Sequence, residues 1–528
     1  MKPFIVFLVL ILGVPLAGIS GNALVPVPLQ VIQGNGKTVF TFTPAVRIVM
    51  TVPGLTAEAR ELQRIITLRT GIELALTEGK TQSKGAVNLV LSDDIEGEEG
   101  YCLEVGAKQI TITGKTTAGI YYGIKTLDQL LVGDGGSGEK RCLAAVKIVD
   151  RPRFEYRALM LDPARHFVPV KDVKRYIDQM AKFKFNVLHL HLTDDQGWRI
   201  EIKKYPLLTE IGSKRKETDG DKRPHGGFYT QDQMKELIAY AAERHIEIIP
   251  EIDVPGHSVA AIAAYPWLTC LNPVEVRTTA GVSKDLLCGG NEKVYEFYSG
   301  VLDELCTLFP SAKFHLGGDE APLDHWKQCK KCQAFMKAKG FDREQQLMSY
   351  FFNRMNEVLV KHGKTPLFWY ELDVPDYPAN TVTYAWRWGL TPKVIERSRE
   401  LGCKVICAPG EYAYLDYPQW AGDMPEVNWG MPVTPLRKVY EFDPGYGLPR
   451  EQQAHIIGVE ATLWGECIKN IDRAFYMTFP RALAVAEAGW SVMENRDWES
   501  FKQRMFPLLS DLMRDGVSFR VPYECVEK

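Results

Sequence analysis

Two adjacent carboxylates, Asp319 and Glu320, end the segment HLGGDE. The apolar run 313–316 before them predicts a buried strand, and Gly317 and Gly318 then allow a sharp turn. Neighbouring side chains cannot easily flank one glycosidic bond from opposite faces, as the two acids of most glycosidases do. The pair therefore predicts divided roles, in which one acid donates a proton and the other stays ionised to orient or stabilise a group. A helix-capping pair and half of a metal site are the alternatives.

The composition is that of a globular protein with a large core. Of 528 residues, 45% are hydrophobic and 24% are charged, and the formal net charge is -3. This length allows several domains, or one large barrel with an attachment. Because no basic excess is present, we expect neither nucleic acid nor an anionic membrane surface as a partner. The oligomeric state stays open.

Residues 1–23 have the pattern of a secretory signal peptide. Lys2 precedes an apolar run, and small residues follow it around Gly18. A retained membrane anchor is the alternative, although the run is short for spanning a bilayer. We expect an exported protein, periplasmic or secreted, with no membrane association once the signal is removed. No Asn-X-Ser/Thr sequon is present, which favours a bacterial source.

The cysteines form an odd set. There are eleven, so at least one is free or paired between chains in an exported protein. Cys270 and Cys288 bracket a loop and are predicted to form a disulfide. Cys329 and Cys332 form a lone CxxC pair, and without a second such pair or matched histidines they favour a local disulfide or free thiols over zinc.

The order of predicted elements divides the chain into an α+β domain over 24–152, a catalytic region over 153–495 and a C-terminal helical segment over 496–528 that packs on that region. In the second part, apolar runs alternate with amphipathic helices. Eight runs fit strands: 157–161, 187–192, 246–252, 313–316, 366–369, 382–386, 404–407 and 456–463. Eight strand–helix units predict a (β/α)8 TIM barrel preceded by a small α+β domain.

Polar or aromatic residues follow every one of these runs, where a barrel of this kind places its chemistry. Carboxylates and tryptophans dominate, and this composition suits a pyranose, whose C–H faces stack on rings and whose hydroxyls bind acids and arginine. No glycine-rich nest or basic cluster suggests a phosphate site. We therefore predict a carbohydrate pocket at the rim.

A metal-dependent hydrolase is the serious alternative, because His189 and His191 lie two apart on one predicted strand and could face inward together. Further ligands should then stand on later strands, but Trp369 and Trp386 occupy the ends of the fifth and sixth. Since tryptophan cannot ligate, we expect the two histidines to pack in the barrel interior with hydrogen-bonded rings. No metal or cofactor is predicted.

Four segments, 189–199, 250–257, 315–320 and 463–466, are similar to the signature blocks of the β-N-acetylhexosaminidases of glycoside hydrolase family 20. The resemblance extends over nearly the whole chain after the signal. It implies an exo-acting, retaining enzyme that removes terminal non-reducing GlcNAc or GalNAc from an oligosaccharide or glycoconjugate. In that mechanism the substrate's own acetamido oxygen attacks the anomeric carbon and forms an oxazolinium intermediate, an exception to the two-carboxylate scheme.

The resemblance also assigns roles. Glu320 is the acid and base, Asp319 accepts the acetamido N–H, and Tyr414 donates to the acetamido oxygen. Asp253 supports the acids from behind. Substrate-binding roles fall to Arg165, Asp194, His257, Trp369, Trp386, Asp416, Trp464 and Glu466. A catalytically silent glycan-binding protein on the same fold is the alternative from a different functional class.

Overall fold

The computed structural model describes residues 23–36, 38–79, 81–132 and 142–525. All but the last residue of the predicted signal peptide lie outside this part, so export stays a prediction. Within the described ranges, no helix combines the length and apolar character needed to cross a membrane.

The N-terminal domain is a mixed sheet with two helices. Its strands are β1 (Gln30–Gln33), β2 (Val39–Thr41), β3 (Arg47–Met50), β4 (Ala75–Glu78), β5 (Ala86–Leu91), β6 (Tyr101–Val105), β7 (Gln109–Gly114), β8 (Cys142–Ala144) and β9 (Val146–Asp150). Seven of them form one sheet in the order β1-β9-β6-β7-β5-β3-β4, and β2 pairs with β8. The helices are α1 (Thr56–Thr70) and α2 (Thr117–Leu131).

The local sequence explains both helices. In α1, Leu62, Ile65 and Ile66 are buried at helical spacing, and the helix ends at Gly71, whose φ of 70° suits glycine. The side chain of Thr116 accepts a hydrogen bond at the start of α2. Helices and strands are both present, as predicted for an α+β domain.

Parallel strands close into a barrel in the order β10-β11-β16-β17-β18-β19-β20-β21. The strands of this part are β10 (Tyr156–Leu161), β11 (Val187–His191), β12 (Thr193–Asp194), β13 (Gly197–Trp198), β14 (Lys214–Arg215), β15 (His225–Gly226), β16 (Glu247–Glu251), β17 (Lys313–His315), β18 (Thr365–Trp369), β19 (Val382–Ala385), β20 (Lys404–Cys407) and β21 (Ile456–Ala461). All eight predicted barrel strands are confirmed, with small differences at their ends.

Helices cover the outside of the barrel and occupy its loops. They are α3 (Val170–Lys182), α4 (Leu207–Glu210), α5 (Gln231–Ala242), α6 (Val259–Ala264), α7 (Glu292–Leu308), α8 (Asp324–Gln328), α9 (Lys330–Lys339), α10 (Glu344–Lys361), α11 (Thr391–Glu400), α12 (Gly410–Ala413), α13 (Leu436–Tyr440), α14 (Arg450–Gln453), α15 (Ile471–Thr478), α16 (Arg481–Trp490) and α17 (Trp498–Arg514). The strands between them are buried on both faces, which explains their continuous apolar runs.

The C-terminal helix α17 contacts both domains. Asp511 binds Arg69 of α1 at 3.0 Å and Lys182 of α3 at 3.1 Å. Arg504 donates to the carbonyl oxygen of Leu24, 2.5 Å away. The segment predicted to pack on the barrel therefore also holds the N-terminal domain against it.

Candidate active site

A cavity of about 460 Å³ opens at the carboxyl ends of the barrel strands, a size suited to a small ligand. Eleven of the predicted site residues line it: Arg165, Asp194, Asp253, His257, Asp319, Glu320, Trp386, Tyr414, Asp416, Trp464 and Glu466. The structure thus brings together side chains that come from distant parts of the sequence.

The turn after β17 positions the two acids. Gly317 has φ +65° and Gly318 has φ +93°, a region that glycine enters without steric cost. The amide of Gly318 donates to Oδ1 of Asp253 at 3.0 Å. A Cβ at Gly317 would lie only 1.9 Å from that same oxygen, so the turn and the carboxylate fit together only with glycine. Asp319 and Glu320 consequently emerge together into the cavity.

Asp319 is almost completely buried, with 6% of its surface exposed. Burial raises its pKa to about 7; the charge of Glu320 adds to the rise and His257 opposes it. Burial and the neighbouring Asp319 raise the pKa of Asp253 well above its usual range. Both carboxyl groups are therefore harder to ionise than exposed aspartates, and Asp319 reaches its ionised form near neutral pH.

A chain of alternating charges runs beneath the acids. Nδ1 of His257 lies 3.1 Å from Oδ1 of Asp194, whose Oδ2 binds Arg165 at 2.7 Å. Although burial opposes it, the Asp194 charge raises the pKa of His257 well above its usual range. Nε2 of His257 then lies 3.8 Å from a carboxylate oxygen of both Asp319 and Glu320. His257 is thus a buried cation close enough to interact electrostatically with both acids.

The opposite end of the cavity presents hydroxyl-binding groups. Arg165 pairs with Asp162 at 2.9 Å and lies 3.9 Å from Glu466, and its guanidinium stands 5.1 Å from the ring centre of Trp464. Both carboxylate oxygens of Asp416 are buried without a partner among the described residues. These groups can bind several hydroxyls of one sugar ring.

Aromatic rings form the wall between the two ends. Trp386, Tyr414 and Trp464 line the cavity, and Trp429 and Tyr417 extend the wall beyond the predicted set. Burial, followed by the nearby Tyr417 and Asp416, raises the pKa of Tyr414 well above its usual range. Its hydroxyl therefore keeps its proton and can donate a hydrogen bond.

Trp369, predicted to wall the substrate, lies beneath the cavity instead. It is 1% exposed, and its Nε1 donates to Oε1 of Glu251 at 2.7 Å. Its ring centre is 5.6 Å from that of Trp464, which does line the cavity. Because Trp369 is the last residue of β18 and faces the barrel interior, it supports Trp464 from below.

Glu251 is the centre of an interior network that the sequence interpretation missed. Its carboxylate contacts His191 and lies 3.1 Å from Nε2 of His189 and 3.0 Å from Nδ1 of His315. His189 also lies 2.8 Å from Glu460. All three imidazoles are fully buried. The expectation that His189 and His191 face inward towards hydrogen-bonding partners agrees with this geometry. Glu251 and Glu460 lie at inward-facing positions of β16 and β21, and these positions could have indicated the network from the sequence.

Glu371 and Arg387 form a second group of polar side chains beside Glu320. Oε1 of Glu371 accepts the amide N–H of Glu320 at 3.2 Å, and Arg387 binds Glu371 at 2.6 Å. Both residues line an adjoining cavity of about 340 Å³ that also includes Glu320. Glu371 is the second residue after β18, at the rim where polar residues are expected. The pair fixes the backbone of Glu320.

A closed (β/α)8 barrel whose rim combines paired acids, hydroxyl-binding charges and tryptophans is that of a glycoside hydrolase. The family model for the glycosyl hydrolase family 20 catalytic domain matches residues 154–493, and that for domain 2 of the same family matches residues 22–151. The chain belongs to glycosyl hydrolase family 20. The predicted family, fold and enzyme class, a β-N-acetylhexosaminidase, are confirmed.

Individual relatives agree. A β-hexosaminidase of Akkermansia muciniphila is 42% identical over 459 residues, which cover 85% of this chain and 90% of the relative. The exo-β-N-acetylglucosaminidase of Vibrio harveyi, solved with N-acetylglucosamine, superimposes with a TM-score of 0.85 at 32% identity and covers 95% of this chain and 79% of its own. The Streptomyces plicatus enzyme bound to Thio-NAglucal gives 0.83 at 32% identity, with coverages of 95% and 97%.

The fit between Gly317 and Asp253 can be tested with a pair of glycines. We expect Gly317→Ala to lower kcat/KM by about 100-fold or more, because the added methyl group must displace Asp253 and with it the acids. Gly389 has the same φ of +65°, but a Cβ there meets no atom within 4 Å. Gly389→Ala therefore imposes similar backbone strain and should keep nearly full activity. Equal kcat/KM values for the two folded variants would contradict this role of Asp253.

Proposed function

We propose that the chain removes single β-linked N-acetylhexosamine residues from the non-reducing ends of glycans, with the substrate's acetamido group as the nucleophile. The adjacency of Asp319 and Glu320 carries the proposal. Both acids emerge from one turn, so they cannot act as opposed acid and nucleophile across the sugar ring. The N-acetylglucosamine complex of the Vibrio harveyi relative supports this class of substrate.

In the first step the acetamido oxygen attacks the anomeric carbon while the bond to the leaving oxygen breaks. Glu320 supplies the proton that the leaving oxygen takes. Asp319 accepts the acetamido N–H and stabilises the positive charge that develops on the ring being formed, and Tyr414 orients the attacking oxygen. Water then opens the oxazolinium at the anomeric carbon and passes its proton to Glu320, so configuration is retained.

The closed end of the cavity explains exo action. Arg165 and Asp416 are buried and Glu466 is partly buried, and all three present polar groups where a further sugar on the non-reducing side would have to pass. These groups bind free hydroxyls of a terminal ring. The cavity that contains Glu371 and Arg387 adjoins Glu320 on the leaving-group side and provides room for the rest of the glycan.

The enzyme acts outside the cytoplasm in this proposal. The signal-like residues 1–23 support export to a periplasm or to the medium, where oligosaccharides and glycoconjugates with terminal GlcNAc or GalNAc are its substrates. The net charge of -3 and the rim of acids and aromatic residues favour a neutral glycan over an anionic polymer.

Glu320→Gln tests the function directly. For a natural disaccharide, whose leaving group needs a proton, we expect kcat to fall by about 10²–10⁴-fold, with KM little changed because shape and hydrogen bonds remain. An aryl glycoside with an acidic phenol should lose much less in the bond-breaking step. Glu357→Gln, on the outer helix α10, is the matched control. A folded Glu320→Gln protein that cleaves the disaccharide at the normal rate would contradict the proposal.

If the unaltered protein binds such a glycan without cleaving it, the chain is the silent glycan-binding alternative.

The raised pKa of Asp319 sets a pH dependence. Only the ionised form of Asp319 carries the negative charge that stabilises the developing oxazolinium, so kcat/KM should fall about tenfold per pH unit below about 7. The measurement uses a dinitrophenyl N-acetyl-β-hexosaminide, which needs no proton from Glu320. His257→Gln removes the positive charge that favours the ionised form of Asp319. It should therefore move the acidic limb of the pH–rate profile to higher pH. A profile that is flat between about pH 5 and 7, or an unmoved limb, would contradict the assignment.

A further inference from the structure

Four cysteines meet outside the active site. The sulfur atoms of Cys270, Cys288, Cys329 and Cys332 all lie within 4.8 Å of one another. The sulfur–sulfur distances are 3.6 Å for Cys270–Cys332, 3.7 Å for Cys288–Cys332 and 3.8 Å for Cys288–Cys329. None of the four is in a disulfide. The predicted Cys270–Cys288 bond is therefore absent, because both thiols face the CxxC pair in one common cluster.

The spacing of the sulfur atoms matches a metal site. Zinc holds four thiolates at about 2.3 Å in a tetrahedron, whose edges are then about 3.8 Å long. We propose that this cluster is a structural zinc site in which all four cysteines are ligands. Three of the four residues are buried and the fourth is partly buried, so the protein completes the coordination shell. A site closed in this way has no open position for a substrate or catalytic water.

The backbone is built for close approach at this cluster. Cys329 precedes helix α9 and Cys332 lies in its first turn, where the positive end of the helix favours thiolates. Cys270 and Cys288 follow directly on the antiparallel bridge between Thr269 and Leu287. A Cβ at Gly290 would lie 2.5 Å from the backbone nitrogen of Cys332, so glycine is required where the two segments meet.

The site would join the two loops that form one side of the active-site cavity. Cys270 and Cys288 lie in the long loop after β16, whose residues Gly281 and Val282 line that cavity. Cys329 and Cys332 lie in the segment that follows Glu320. Nε1 of Trp326 donates to the carbonyl of Leu287 at 2.8 Å and links the same loops. A zinc ion would therefore hold the cavity wall in position relative to the acids without entering the chemistry.

The decisive measurement is zinc content and coordination in the purified full-length exported protein, without a metal-binding tag and after dialysis. We expect about one zinc per chain by elemental analysis, and four sulfur neighbours at about 2.3 Å by X-ray absorption. Cys332→Ser should lose most of the zinc and unfold at lower temperature. Cys306→Ser, which removes a buried thiol of helix α7 outside the cluster, should keep one zinc.

Two results would overturn the proposal. One is a protein with less than about half an equivalent of zinc whose intact mass shows the four cysteines as two disulfides or as metal-free thiols. The other is bound zinc whose absorption spectrum shows nitrogen or oxygen neighbours instead of four sulfurs. If Cys332→Ser fails to fold, the absorption spectrum and thiol count of the unaltered protein still decide between zinc and disulfides.

Discussion

The contact between Asp253 and the turn at Gly317 and Gly318 is the constraint on which the site depends. One carboxylate oxygen accepts the Gly318 amide and occupies the space that a side chain at Gly317 would need. Since β16 and β17 are neighbours in the barrel, this contact ties the end of one strand to the turn after the next. It fixes both acids on one side of the cavity, so the two cannot act as opposed acid and nucleophile across one sugar ring.

Charge placement follows from the same arrangement. Asp253, Asp319 and Glu320 would repel one another if all were ionised, and the cationic His257 relieves this repulsion at 3.8 Å from Asp319 and Glu320. Two opposite charges at that distance interact by roughly 4 kcal/mol at an effective dielectric constant of about 20. That is enough to matter to the ionisation of Asp319, whose pKa is still raised to about 7 by burial. The buried ions cost stability, but they provide charges that need no reorganisation during the reaction.

The sequence predicted the architecture well because barrel strands are buried on both faces and so appear as continuous apolar runs. The rim residues follow from chain order, since each comes directly after such a run. The direction in which each rim side chain points was harder to predict. Trp369 ends a strand and points into the barrel, while Trp386 lies one residue beyond β19 and faces the cavity. The Glu251 network and the four-cysteine cluster were missed because their members come from separate elements, and no local spacing indicates that they meet.

The most direct test of substrate-assisted catalysis is chemical trapping followed by peptide mass spectrometry. A fluorinated N-acetylhexosaminyl substrate with an activated leaving group slows the breakdown of any covalent sugar–enzyme ester. With the acetamido oxygen as nucleophile, we expect turnover without a sugar-labelled peptide, and the cyclised sugar as the only intermediate. A stable glycosyl ester on any aspartate or glutamate of this chain would show an enzyme nucleophile and contradict substrate-assisted catalysis.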